Sequence, residues 1–290
     1  MAESIKIRLD GSKYIFPTSD DIASAKNFVL RRNETARNLE AKIDDCLAEL
    51  AQHIVTICYR YDVVPEEFEI SSRYNEQMMA EISDAMDDAE SEITNLIYEY
   101  STQSTTDRDR SKVLLLWIAS LGRNNNNLQT TLDNYLFKMM KDVEAAVAAL
   151  RKSEVALADA ITKVKSNLHT IYTMPEVQAA FKTASSFNAA YIRTRGVVKG
   201  NVGLSNNGST NVTNMAKITL EMAWNRSQVM DFQEQGAVGY YQLRGSLYPC
   251  EACDDEVGFH LGLEEIFERP LVHPHCCCYR VPVFAKETNK

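Results

Sequence analysis

The sequence predicts a mainly α-helical protein, in which a long-helix bundle or coiled-coil region precedes a small α+β C-terminal module. Three observations carry this expectation. Glycine and proline are nearly absent from the first two thirds of the chain. Apolar residues there recur at helical spacing. Five of the seven cysteines crowd between positions 250 and 278.

Only Gly11 and Gly122 precede position 196, and the other nine glycines follow. Proline behaves similarly, with Pro17, Pro65 and Pro175 in the long first part and four more from Pro249 onward. Both residues cost an interior helical position free energy, so a stretch almost free of them suits long helices.

The elements follow in order. Pro17-Thr18-Ser19-Asp20-Asp21 supplies a capping hydroxyl and early acidic residues for a first helix. Leu39, Ile43, Leu47, Leu50, Ile54 and Ile57 then form one apolar stripe at spacings of three and four. A second stripe runs through Met78, Ile82, Met86, Ala89, Ile93, Ile97 and Tyr100. Lys112–Leu121 is apolar nearly all round and reads as a short buried helix, followed by a turn at Asn124–Asn127. A third stripe, Leu128, Leu132, Leu136, Met139, Val143, Val147 and Leu150, is expected to continue through Ile161, Val164 and Leu168. Such stripes are helix-to-helix core rather than cofactor contacts, and their length points to an extended bundle.

Residues 196–214 hold four glycines and five asparagines, the composition of a linker or exposed loop. The expected organisation is therefore a helical region over 1–195, a connection over 196–214 and a C-terminal module over 215–290. In that module Met215–Gln235 reads as a helix stopped by Gly236. Val238–Arg244 has strand-like composition, and Tyr279–Phe284, interrupted by Pro282, reads as an edge strand.

Composition narrows the function classes. The chain has 290 residues, 45% of them hydrophobic and 24% charged, within the range of folded soluble proteins. Its longest unbroken apolar run, Val113–Ala119, is too short to cross a bilayer, and the opening ten residues contain no apolar signal core. The formal net charge is −9. Residues 196–290 carry eight Lys or Arg against eleven Asp or Glu, so nucleic acid remains a possible partner that charge does not favour.

Cys46 and Cys58 adjoin the first apolar stripe and read as packed small residues. The remaining five cysteines form a pattern: Cys250-Glu-Ala-Cys253, nineteen intervening residues, then His273-Pro-His-Cys276-Cys-Cys278. A two-residue spacer lets Cys250 and Cys253 face one centre from a tight turn. The second motif adds thiolates and an imidazole from one short loop. These are the ligands that tetrahedral zinc takes, and a structural zinc is expected. Cys250, Cys253 and Cys276 are the core of the expected set, with His273 or Cys278 completing four. Cys277 and His275 are expected outside it.

Five donors competing for four places favour a closed site over a catalytic one. Pro249-Cys-Glu-Ala-Cys253 matches half of a zinc deaminase signature, but no His-x-Glu or Cys-x-Glu lies upstream. A metal-dependent nuclease or toxin-like enzyme using His260, Asp254, Asp255, Glu264 and Glu265 is the rival reading. Against it, these residues fit a solvated acidic loop and a short helix. Gly-rich phosphate loops, Gly-x-Ser-x-Gly and His-Glu-x-x-His are all absent. No enzymatic activity is expected.

Residues 213–284 resemble the C-terminal module of phage Mu F-like minor head proteins, the head morphogenesis proteins of tailed phages. Trp224-Asn225 is followed eleven positions later by Gly236-Ala237, then a strand-like stretch and the Cys250–Cys253 pair. His273-Pro-His-Cys276-Cys-Cys278, with its Pro-containing apolar tail, is similar to that family's His-Pro-x-Cys-Arg-Cys ending. Cys277 replaces the family's usual arginine, and Ser246-Leu-Tyr-Pro249 replaces an Asp-x-Arg. Lys217–Glu221 echoes the Arg-Thr-Glu that often opens the helix. The resemblance implies a non-enzymatic virion protein, made in the host bacterial cytoplasm and placed in the phage head. Its implied partners are the portal protein or the capsid interior, with a role in head morphogenesis or genome delivery. Some family members carry a fused toxin domain, and with twelve residues after Cys278 none is expected here.

Overall fold

A computed structural model of the chain describes residues 5–7, 10–61, 76–121, 128–168, 174–182 and 208–286. The turn expected at Asn124–Asn127 and positions 196–207 of the expected connection lie outside the described residues. The elements run β1 (Ile5–Ile7), α1 (Ser19–Arg60), α2 (Glu76–Thr102), α3 (Arg108–Leu121), α4 (Leu128–Lys152), α5 (Leu157–Ser166) and α6 (Pro175–Lys182). They continue as α7 (Gly208–Glu234), β2 (Gly239–Leu243), α8 (Glu251–Glu256), β3 (Gly258–Leu261), α9 (Glu264–Glu268) and β4 (Tyr279–Val283). The fold class is the expected one, mainly helical with a small α+β part.

The start of α1 follows from its cap. The Thr18 hydroxyl accepts from the Asp21 backbone N–H at 3.2 Å, and the Asp21 carboxylate accepts from the Thr18 N–H at 2.8 Å. Two otherwise unpaired donors are thereby satisfied reciprocally.

The chain divides into two compact units, each assembled from separated segments. One takes Glu40–Leu96 and Leu121–Met215, and its regular elements among the described residues are all helices. Leu47, Ile54 and Ile57 of α1, Met78, Ile82 and Ile93 of α2, and Leu132, Leu136 and Val143 of α4 are fully buried there. Cys46 of α1 contacts the Ala89 carbonyl of α2, and Arg151 of α4 donates to the Cys58 carbonyl of α1. The third stripe does not run straight on. After α4 the Val155 N–H returns to the Leu150 carbonyl, and Glu154 takes a φ of 58°, so α5 starts as a separate helix. The Tyr59 hydroxyl stabilises this break by donating to the Val155 carbonyl at 2.9 Å.

The other unit takes Met1–Leu39, Ile97–Ser120 and Ala216–Lys290. Its antiparallel sheet has the order β1-β3-β2-β4, so β4 is the edge on which Pro282 is tolerated. One face of α1, Ala25 and Val29, packs with Tyr279 and Val281 of β4. Val229 and Phe232 of α7 pack with Tyr240 of β2 and with Leu263 and Ile266. Trp224 anchors α7 by donating from Nε1 to the Tyr100 carbonyl at 3.0 Å. Arg110 of α3 reaches Asp231 and Glu234 of the same helix.

Two local expectations need correction. α3 is not buried all round: Leu114 and Ile118 are buried, while Val113 and Leu116 are exposed. A single i, i+4 stripe meets the core there, which an almost uniformly apolar decapeptide cannot reveal. Helix α7 starts at Gly208, seven residues before the expected Met215. Burial of Val212 and Thr213 offsets the poor helix propensity of the Gly/Asn-rich segment. Its end is as expected. Gly236 has a φ of 76°, and the Ala237 N–H reaches back to the Phe232 carbonyl, a Schellman closure.

Candidate metal centre

The first pair of donors is placed by a helix start. Cys250, in extended conformation, is the residue before α8, and Cys253 lies in the first turn of that helix. Their loop is strapped by Arg244, which donates to the carbonyls of Cys250, Ser246 and Tyr248 and to the Asp254 carboxylate. Gly245 lets this loop approach the second motif. A Cβ there would lie 1.7 Å from the Cys277 carbonyl oxygen, so only glycine fits.

The second set is placed by a turn. The Cys276 N–H donates to the His273 carbonyl at 3.2 Å, closing a four-residue loop. Pro274 stands at its second position and His275, with a φ of 60°, at its third, the arrangement of a type II turn. The unusual backbone of His275 is held by Glu221 of α7, whose carboxylate accepts from the His275 N–H at 2.9 Å and meets its Nδ1 at 3.2 Å. His275 therefore shapes the turn and points to Glu221. The turn brings His273 and Cys276 to the same side.

The donor atoms of Cys250, Cys253 and His273 form one group, and those of Cys253, Cys276 and Cys278 another; within each group they lie within 4.8 Å of one another. Cys253 belongs to both, so five side chains converge on one region that could hold a metal ion. The Cys253 and Cys276 sulfurs are 3.7 Å apart, and His273 Nε2 is 3.4 Å from the Cys250 sulfur and 3.0 Å from that of Cys253. With zinc–sulfur bonds of about 2.3 Å and zinc–nitrogen bonds of about 2.0 Å, tetrahedral edges are roughly 3.8 Å and 3.5 Å. The donor set fits such an ion with small adjustments. His273 Nδ1 meets the Pro274 carbonyl at 2.8 Å, so this nitrogen carries the proton and Nε2 presents its lone pair to the sulfurs. Cys277 turns elsewhere, its sulfur facing the His275 carbonyl and Asn33.

Electrostatics mark the sulfurs as a coupled set. A hydrogen bond from Cys276 pulls the Cys278 thiol down to about 5, helped by the Gly245 N–H, Cys253 and the charge of Arg244. The same hydrogen bond, with burial, pushes Cys276 up, and burial pushes Cys253 up to about 12. A divalent ion would replace these shared protons. Cys46 and Cys58 belong to the other unit and are buried, and burial pushes both up to about 12.

Three residues next to the cluster escaped the reading of the sequence. Arg32 of α1 is fully buried and donates to the Cys276 carbonyl at 2.6 Å and to Asn225 Oδ1 at 2.8 Å. Asn225 donates onward to the Pro270 carbonyl, which also accepts from Arg280. A signal existed for Arg32: it occupies the apolar face Ala25, Val29, Ala36, Leu39, where a charge is out of place.

Among the described residues, the acidic segment between the two ligand motifs joins no further group of converging donors. His260 is buried, stacked on Tyr240 at 4.7 Å, with Nε2 at the Glu256 carbonyl. Asp254 pairs with Arg244, and Glu264 accepts from the neighbouring Leu263 N–H. Among the described residues no helix is long and apolar enough to cross a membrane. No family model, curated protein or solved structure matches this chain.

Proposed function

We propose that this chain is a non-enzymatic minor head protein of a tailed phage whose C-terminal module is closed by a structural zinc ion. The observation that carries the reading is the convergence of Cys250, Cys253, His273, Cys276 and Cys278 from two sequence motifs of the resembled family. Thiolates with one imidazole are the donor chemistry of zinc rather than of hard cations. Cys250, Cys253 and His273 hold it, and Cys276 or Cys278 completes the tetrahedron. Five donors for four positions leave no place for a reactive water, so the ion's contribution is folding energy. His260 and Glu264 are occupied by local contacts, which supports a structural role over nuclease chemistry. The resemblance places the protein at the portal or the capsid interior, assembled in the bacterial cytoplasm.

Two measurements test this reading. Elemental analysis of reduced protein should find one zinc per chain, and protein without metal would refute the clasp. Co-expression with a portal protein from the same genome should yield a complex. Absence of any complex, or metal-dependent nuclease activity lost on changing His260 or Glu264, would refute the head-protein role.

A further inference from the structure

Two arginines are buried directly behind the cysteine cluster, and their immediate partners are all neutral. Arg32 is 0% exposed and Arg280 is 6% exposed. Arg32 gives its protons to Asn33 Oδ1 at 3.1 and 3.3 Å, to Asn225 Oδ1 at 2.8 Å and to the Cys276 carbonyl at 2.6 Å. Arg280, opposite Gln242 on the neighbouring strand, gives its protons to Gln242 Oε1 at 3.0 Å and to the Pro270 carbonyl at 2.9 Å. Neither guanidinium forms an ion pair among the described residues.

Buried charges are stable when an opposite charge lies close by. The nearby carboxylate, Glu221, is already engaged by the backbone and ring of His275. Glu256 is half-exposed and faces His260. One engaged carboxylate does not balance two buried guanidinium groups, and the remaining source of negative charge beside them is sulfur. A divalent ion held by three thiolates and a neutral imidazole carries a net charge of −1, and one held by four thiolates carries −2. The ion fixes those thiolates as anions, since a bound thiol is deprotonated.

We propose that Arg32 and Arg280 are the built-in counter-charges of a net-anionic metal–thiolate centre. This rests on the zinc reading above and extends it. Arg32 is a positioning residue, acting through the Cys276 carbonyl and the field at the sulfurs rather than by binding the ion. With metal bound, the two cations face a net-anionic centre and are compensated.

The test uses the full chain, Zn(II) as the probe, and a chromophoric chelator as competitor, with thermal unfolding measured on loaded and stripped protein. Arg32→Gln keeps polar reach but removes the charge. It should weaken zinc binding by about 10- to 100-fold. It should lower the melting temperature of loaded protein more than that of stripped protein. Arg32→Lys should restore much of the zinc affinity. Asn33→Asp places a carboxylate at the oxygen that already accepts two Arg32 bonds. It should weaken zinc binding by giving the guanidinium a fixed carboxylate partner, and it remains informative if Arg32→Gln does not fold. Equal destabilisation of loaded and stripped Arg32→Gln, or unchanged zinc affinity in both variants, would overturn the charge linkage and leave the zinc reading intact. Wild-type protein that binds no zinc would overturn the zinc reading itself.

Discussion

His273 Nδ1 lies 2.8 Å from the carbonyl oxygen of Pro274, and this contact aims Nε2 at the sulfurs of Cys250 and Cys253. The neighbouring His275 points its ring at Glu221 instead. Two histidines one residue apart thus have opposite duties, one as donor and one as the bend of the turn. His273→Ala should lower the affinity for Co(II) and change its ligand-field spectrum. His275→Gly, which accepts the positive φ, should leave that spectrum unchanged. Identical spectral changes in both variants would contradict the assignment.

Alkylation separates the reachable cysteines from the buried ones. In stripped, folded protein at pH 8, iodoacetamide should label the half-buried Cys250, Cys277 and Cys278 and spare the buried Cys253 and Cys276 together with Cys46 and Cys58, whose thiols burial holds near 12. Zinc should then protect Cys250 and leave Cys277 open to labelling. Mass-spectrometric mapping reads the pattern, and early labelling of Cys46 or Cys58 would show that the first unit opens more readily than its packing implies.

Gly245→Ala should damage the clasp without touching a donor. Its Cβ would sit 1.7 Å from the Cys277 carbonyl oxygen, so the loop bearing Cys250 must move away from the turn bearing Cys276. A cost of about 2 kcal/mol or more is expected, together with weaker zinc binding. Chemical denaturation and chelator competition on one preparation check both effects. A neutral result in each would mean that the two segments approach less closely.

Stability should also depend on pH through a site remote from the metal. Glu90 on α2 is raised to about 7 by burial first, then by a hydrogen bond and repulsion from Asp133 of α4. A carboxyl whose folded value exceeds its unfolded value, 4.5, favours folding below that value. It loses this contribution as pH rises through the folded value near 7. The decline from pH 5 to pH 8 should be about 1 kcal/mol after allowance for solvent screening. Glu90→Gln should remove that part of the slope, raising stability at pH 8. Urea titrations at both values decide, and an unchanged slope would show that Glu90 ionises freely.

Much of the fold was legible because periodicity survives in one dimension. The stripe from Leu39 to Ile57 is buried throughout, and the Thr18 cap and Gly236 stop act where local chemistry places them. Where local chemistry is ambiguous, reading failed. Lys112–Leu121 has apolar residues on every side, so the face meeting the core was invisible. Gly208–Asn214 is helical because burial of Val212 outweighs its composition.

By itself the sequence determined the long helices and the strands around Tyr240 and Val281, the identity of five soft donors and the close spacing that makes each motif a preformed half-site. Tertiary structure decided what stands behind those donors. Cys276 and Arg32 are 244 positions apart in the chain, yet 2.6 Å separates the guanidinium from the carbonyl. The same applies to the compact units: one draws segments from both ends of the chain, the other from two internal stretches. Spacing of three or four residues encodes which side chains share a helix face. The partner of a buried charge is set by packing between distant segments, which no local pattern records.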